Sequence, residues 1–332
     1  MSTPRRAALG WAIGATLIVA GAVGLAAGGL VIGREVAGQA ANGGPSATAP
    51  IATERPGSFG AGGRPSGQVA VLVGAGDIAS CRSSHDEQTA SLVDAVPGIV
   101  FTAGDNAYPS GTAAQFEQCY GPSWGRFRDR TRPAIGNHDA LTDAGAPYFT
   151  YFGAAAGPAG QGWYSYEAGT WHVIVLNSNC QSIGGCVAGS PQLDWLTADL
   201  AAHPAACTLA IWHHPRFSSG EHGNDPQSGA FWQVLYDAGA DLIVNGHDHD
   251  YERFAPQTPT GVADPERGIR EIVVGTGGES LRLFNVPKPN SEVRNSSSYG
   301  VLRLDLAPGS YAWHFMAIPG RSFSDNGRSA CH

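Results

Sequence analysis

The sequence predicts an α/β domain that passes into antiparallel β, and three observations carry that prediction. From Gln68 onward, short apolar runs closed by glycine or turn residues alternate with stretches of helical spacing, which is how strands covered by helices read. After Tyr251 the helical stretches stop and strand-like runs follow one another. Several of the early runs also end in a glycine followed by a carboxylate, amide or imidazole, as strand ends of an open sheet do when they build a site.

The runs QVAVLVGAG, GIVFTAGD, RPAIGN, TWHVIVLNS, CTLAIWH and ADLIVNGH read as buried strands. Helical spacing covers 84–96, 115–119, 190–202 and 227–238, and Ser190-Pro191 is a cap followed by a first-turn proline. REIVVGTGG, YGVLRLDLA and SYAWHFMAI are the strands of the last part, within the same domain, 68–332. No internal repeat is present.

The first 38 residues stand apart from this fold. Arg5 and Arg6 precede a stretch from Ala7 to Gly33 without a charged residue. It exceeds the roughly 7 to 15 residues of a signal-peptide core and can cross a hydrocarbon layer of about 30 Å. Two readings follow, a membrane anchor and a long secretory signal cleaved near Gln39, where Gly38 and Ala40 are small. Either one leaves the rest of the chain outside the cytoplasm. Residues 39–67, rich in Ala, Gly, Pro, Ser and Thr, read as a flexible linker.

Among 332 residues the formal net charge is -8 and only 14% are charged, which excludes a nucleic-acid duplex as partner, because a phosphate backbone calls for a basic face. Phosphate chemistry here must bring its own positive charge, as bound cations do. The six cysteines in an exported chain read as disulfides, and none has the spacing of a zinc knuckle. Cys180 and Cys186 bracket a turn-like stretch and form the first pair. Elimination leaves Cys81 with Cys119 and Cys207 with Cys331.

Chemistry concentrates at five strand ends. VFTAGDNAY delivers Asp105 and Tyr108, VLVGAGDIAS gives Asp77, PAIGNHDA gives Asn137 and His138, LAIWHHP gives His213, and IVNGHDHDYER gives His247 and His249. Carboxylate, phenol, amide and imidazole converging in this way suit a binuclear metal centre, with Asp105 as the carboxylate that bridges both ions. Tyr108 ligates only as a phenolate, which favours iron(III) over zinc at that position. Alternation along an extended segment places His247 and His249 on one side.

The set GDIAS, GDNAY, GNHD, the histidine of IWHHP and GHDHDYER resembles the five signature blocks of the calcineurin-like metallophosphoesterases. The tyrosine of GDNAY and the YER tail narrow the resemblance to the purple acid phosphatases, over Gln68 to about Phe315. It is similar to the small, single-domain mammalian type, since no separate β-sandwich domain precedes the first block. The resemblance implies a two-sheet β-sandwich flanked by helices (α/β/β/α). It also implies an iron(III) held by Asp77, Asp105, Tyr108 and His249, and a divalent iron, zinc or manganese held by Asp105, Asn137, His213 and His247. His213 rather than His214 is the ligand because the family spacing is histidine, one residue, proline. His138 and His222 correspond to acid catalysts, and an imidazole is the usual donor to a leaving alkoxide. Ala79 departs from the pattern, standing where the first block usually ends in glycine.

These residues point to an extracytoplasmic hydrolase of phosphate esters, an acid phosphatase acting on small phosphomonoesters by in-line attack of hydroxide held on the ions. A phosphodiesterase or nucleotide hydrolase could use the same centre, and a surface protein could keep the fold for binding alone. No obligate protein partner is expected, and membrane contact comes through the N-terminal segment if it stays uncleaved. His214, Asp139, Asp250 and Arg253 are expected behind the ligands or at the substrate, with Asp250, Glu252 and Arg253 forming a structural ion pair. His85, His172, His203, His314 and His332 are read as structural, Trp212 as core, and Glu221 as solvated.

Overall fold

The computed structural model describes residues 67–332. The proposed anchor or signal, 1–38, and all but the last residue of the linker lie outside them. Two mixed sheets form the body. In the six-stranded sheet the order is Asn326–Ala330, Ser310–Ala317, Gly300–Ala307, Ala70–Ala75, Ile99–Ala103 and Thr131–Ala134, the last three parallel. The seven-stranded sheet runs Ser291–Asn295, Tyr251–Phe254, Arg270–Val274, Leu242–Asn245, Thr208–Ile211, Trp171–Val175 and Tyr164–Ala168.

The near-continuous apolar runs of the second sheet have a plain cause, because each strand feeds two cores by alternation. Val173, Val175, Leu209, Ile211, Leu242 and Val244 join Leu72, Phe101 and Leu302 of the first sheet between the two layers. Ile174, Ala210, Trp212 and Ile243 face the other way, onto Leu193 and Leu196 of the helix Pro191–Ala202 and Phe231 and Trp232 of the helix Gly229–Asp237. The result is a sandwich of two sheets with flanking helices.

Three sequence expectations change. Arg270–Val274 pairs parallel with Leu242–Asn245, so the last part of the chain is not purely antiparallel; it extends the parallel ladder before turning back. The stretch 115–119 is a π-turn over Phe116–Tyr120, following a three-residue helix, Ala113–Gln115, that a capping box from Thr112 opens. Residues 246–250 form a series of bends rather than an extended segment, and His247 has φ of 71°, so alternation is not what brings His247 and His249 together. The aromatic helix Ala146–Phe152 was not legible, since its apolar residues carry no simple helical stripe.

All six cysteines are paired as expected, Cys81–Cys119, Cys180–Cys186 and Cys207–Cys331. The last closes a loop of 124 residues and ties the C-terminus to the strand Thr208–Ile211. Cross-linking a loop of that size restricts the unfolded chain most, so the double variant Cys207→Ser/Cys331→Ser is expected to lose about 2–5 kcal/mol of stability. Urea denaturation of both proteins measures it; equal midpoints would show that the bond adds no net stability.

Candidate metal centre

Each parallel strand ends by turning sharply enough to aim a polar side chain inward. Asp77, Asp105 and His247, the residues just past three of these strands, take left-handed φ values of 58°, 52° and 71°. Aspartate and histidine tolerate this region better than most residues, at a cost of roughly 1–3 kcal/mol each. Two glycines make room. A Cβ on Gly104 would stand 2.5 Å from the His213 ring, and one on Gly136 would stand 2.1 Å from Asp105 Oδ1. Ala79 is accommodated in a two-residue strand paired with Ala107, its N–H donating to the Asn106 carbonyl at 3.1 Å.

One oxygen of each buried aspartate is fixed by backbone. The His138 N–H donates to Asp105 Oδ1 at 2.8 Å, and the His247 N–H donates to Asp77 Oδ2 at 2.8 Å. The other oxygen of each faces the cluster. Asp105 Oδ2 accepts from the Tyr108 hydroxyl at 2.9 Å and lies 3.2 Å from His213 Nε2. On the tyrosine side, the hydroxyl is 2.7 Å from Asp77 Oδ1 and 3.2 Å from His249 Nε2. On the histidine side, His213 Nε2 is 3.0 Å from Asn137 Oδ1, and the His247 ring stands 5.0 Å from that of His213. Nδ1 of His213 donates to the Ala103 carbonyl at 2.8 Å and Nδ1 of His249 to that of Ser280 at 2.7 Å, which turns both Nε2 atoms inward. All seven sequence-predicted donors therefore gather in one place, in two groups that share Asp105.

The electrostatics follow from burial without a lysine or arginine partner. Burial opposes the charge of Asp77 and Asp105, but His249 beside the first and His213 beside the second outweigh it and hold both carboxylates below the ordinary range. Burial likewise opposes a charged His213, yet Asp105 and Asp77 lift it to about 9. Burial, then the carboxylates of Asp105 and Asp77, push the Tyr108 phenol well above its usual value. Burial and the neighbouring His213 and His214 push His247 far down. This donor set fits two cations, since buried carboxylates and inward-facing imidazoles, which lose their protons to an entering ion, are what such ions require.

Around this centre opens a cleft of about 480 Å³, bordered by Asn137, Leu141, Asn179, His214, His222 and His247. His214 Nδ1 lies 2.7 Å from Ser178 Oγ, and its ring is 4.4 Å from His247. Burial and His213 depress it to about 3, so it is a neutral imidazole. His138 Nδ1 donates to the Pro109 carbonyl at 2.6 Å, leaving Nε2 4.0 Å from Asp105 Oδ2. His222 stacks on His247 at 4.3 Å and accepts at Nε2 from Arg282 at 3.1 Å.

Asp139 is a buried brace. It accepts from the N–H groups of Asn106, Ala107 and Gly136 at 3.0–3.2 Å, and burial with the charge of Asp105 raises it to about 6. Asp250 is also buried and held well above the carboxylate range by burial and by Asp248. Arg253 is a correction. Its guanidinium goes to Asp325 at 2.7 Å and to Glu292, and it forms no pair with Asp250 or Glu252. Glu252 and Arg253 are neighbours on the strand Tyr251–Phe254, so they point to opposite faces; Glu252 instead accepts from Ser219.

Sequence reasoning missed the residues that hold the His222 loop. Asp248 accepts from the N–H groups of His222 at 2.7 Å and Gly223 at 3.2 Å and from the Ser218 hydroxyl, while Glu271 accepts from Arg216 N–H at 3.0 Å. Asp248 was visible between the two histidines of GHDHD. Nothing near Arg282 signals its contact with a residue 60 positions away.

A family model described as calcineurin-like phosphoesterase matches residues 64–251. The chain is similar to purple acid phosphatase 15 of Arabidopsis thaliana, 27% identical over 257 residues covering 65% of this chain and 46% of the relative. It is also similar to probable inactive purple acid phosphatase 27 of the same plant, 24% identical over 248 residues covering 62% and 39%. The solved structure of a purple acid phosphatase from yellow lupin (Lupinus luteus) seeds shares the fold, with a TM-score of 0.68 at 18% identity over 79% of this chain and 54% of that one. The chain spans less than half the length of these two Arabidopsis relatives.

The closeness at Gly136 makes a test of the cradle. Gly136→Ala is expected to fold but to lose about 1–3 kcal/mol by overpacking against Asp105, with weaker retention of added metal. Denaturation and metal analysis of the same sample check both, and an unchanged protein would mean that the backbone yields there.

Proposed function

The chain belongs to the calcineurin-like phosphoesterases, and from that premise we propose that it is an extracytoplasmic acid phosphatase hydrolysing small phosphomonoesters at a binuclear metal centre. The observation that carries the reading is the sharing of Asp105 Oδ2 between two donor groups, 2.9 Å from the Tyr108 hydroxyl and 3.2 Å from His213 Nε2. Members of the family are mostly hydrolases, and one relative is named as inactive. Retention of every donor here supports activity.

Asp77, Asp105, Tyr108 and His249 would hold iron(III), and Asp105, Asn137, His213 and His247 a divalent ion. Two such ions supply Lewis acidity toward phosphoryl oxygens and a water acidified enough to act as nucleophile. The chain's own residues do the rest. His138 Nε2 and His214 border the space where phosphoryl oxygens would sit, and His214, neutral by burial, accepts or donates without adding charge. His222 is the proton donor to the leaving alcohol. Arg282, beside its Nε2, and Asp248, at the backbone of that loop, hold the ring in place. Arg282 is thus a positioning residue.

The three disulfides support a location outside the cytoplasm, where such bonds persist. The segment 1–38 would deliver the domain there as an anchor or a signal, with 39–67 as tether.

Asp105→Asn is expected to lose bound metal and activity together. Tyr108→Phe should abolish a visible charge-transfer band while some hydrolysis persists; a colourless wild-type protein with two zinc or manganese ions would remove iron(III) from the assignment. His222→Ala is expected to slow alkyl phosphates by about 10²–10⁴-fold and aryl phosphates far less. Arg282→Ala should reproduce that pattern in weaker form. An equal loss on both ester types would deny His222 the role of proton donor.

A further inference from the structure

At the opposite end of the second sheet, where its parallel strands begin, a second set of metal-binding side chains has no part in the chemistry above. His172, near the start of the strand Trp171–Val175, stands directly across from Glu167 on the neighbouring antiparallel strand. His172 Nδ1 donates to Glu167 Oε1 at 2.9 Å, so Nε2 is the nitrogen an ion would take on displacing its proton. Nε2 lies 2.8 Å from Asp199 Oδ2. One helical turn further on, at the end of the helix Pro191–Ala202, His203 Nδ1 lies 3.3 Å from Asp199 Oδ1 and 3.0 Å from the Asp199 carbonyl, a hydrogen bond it would exchange for an ion. The donor atoms of His172, Asp199 and His203 all fall within 4.8 Å of one another.

We propose that His172, Asp199 and His203 form a further, structural site for a borderline divalent cation of the zinc class. Bonds of 2.0–2.1 Å in a tetrahedral shell put neighbouring donor atoms about 3.3 Å apart. The spacings of 2.8 and 3.3 Å found here lie at or just below that value, and the remaining pair falls within 4.8 Å, so modest side-chain adjustments bring three donors onto one ion. Two imidazoles with one carboxylate select zinc, cobalt or nickel over magnesium or calcium, which prefer all-oxygen shells. Glu167 adds the outer contact that ligating histidines characteristically have, a carboxylate on the far ring nitrogen that fixes tautomer and orientation. Ser165 does the same for the carboxylate, donating to Asp199 Oδ1 at 2.8 Å.

The burial pattern suits a structural ion with one open position. His172 is 1% exposed and Asp199 6%, whereas His203 is 50% exposed and gives an entering ion its path. The His172 N–H also donates to the carbonyl of Cys207 at 3.1 Å, so an ion here would pin the helix end to the sheet beside the Cys207–Cys331 bond. The competing account is an imidazolium of His172 clamped between Glu167 and Asp199, with no affinity for metal.

Zinc and cobalt titration of the full chain, with its catalytic centre already loaded, separates the two. The wild type is expected to bind one more ion per chain than His203→Ala, a change at a half-exposed residue that leaves hydrolysis intact. At a hundredfold excess over Kd, zinc should raise the melting midpoint by about 5 °C or more in the wild type and not in His203→Ala. Glu167→Gln should weaken binding about 10–100-fold while preserving the ion count at saturation. Equal ion counts in wild type and His203→Ala, equal midpoint shifts, or an affinity no tighter than millimolar would overturn the proposal in favour of the imidazolium clamp. The comparison is a difference between two chains, so it holds whatever metals the catalytic centre takes.

Discussion

Two ionised carboxylates, Asp77 and Asp105, are buried to 0% and 1% exposure with no lysine or arginine against them, and the rest of the site is arranged to make that tolerable. An uncompensated buried charge costs several kcal/mol. Backbone N–H groups take one oxygen of each, and imidazoles and a phenol take the other. With no lysine or arginine among these partners, release of the imidazole protons leaves two carboxylates and several ring nitrogens facing one small volume, which is what a cation site offers. The left-handed turns at Asp77, Asp105 and His247 follow from the same constraint, since a sharp reversal just past a strand end aims the two carboxylates inward and brings the His247 N–H onto Asp77.

A second ring of carboxylates does structural work by a different route. Asp139 gathers N–H groups from Asn106, Ala107 and Gly136 and so locks the loop carrying Asp105 to the one carrying Asn137. Asp248, Glu252 and Glu271 do the same for the loop that carries His222. Each exchanges water for oriented amide or hydroxyl donors, which offsets its burial and fixes backbone that has no sheet or helix to hold it. Rigidity of this kind is what holds an imidazole in place on a loop.

The interior strands and the residues that gather at the candidate metal centre were legible because their signals are local: an apolar run, a glycine, then a polar residue of ligand type. Ser190 and Pro191 opened a helix where the sequence placed one, for the same reason. What stayed hidden depends on distant partners. The strands Ser291–Asn295 and Asn326–Ala330 are polar or half-exposed edges, stable only through the registers they meet. Arg253 looked bound to its sequence neighbours, yet its partner Asp325 lies 72 residues on. His172 and His203 read as isolated histidines until folding set Asp199 between them.

Fold alone does not decide activity, as a family that includes a relative named inactive makes plain. The discriminating feature is the donor set, and within it Tyr108 is the most selective member. Carboxylates and imidazoles serve zinc, manganese and iron alike. A phenol whose pKa is already driven up by burial and by two flanking carboxylates ionises only beside a strongly polarising cation. Asp77 and Asp105 thus raise the threshold that a metal must meet at this position while supplying the charge that attracts it. A divalent ion would gain the carboxylates but not the phenolate and a trivalent one would gain both, and this difference is the physical basis of the proposal that iron(III) occupies the tyrosine side.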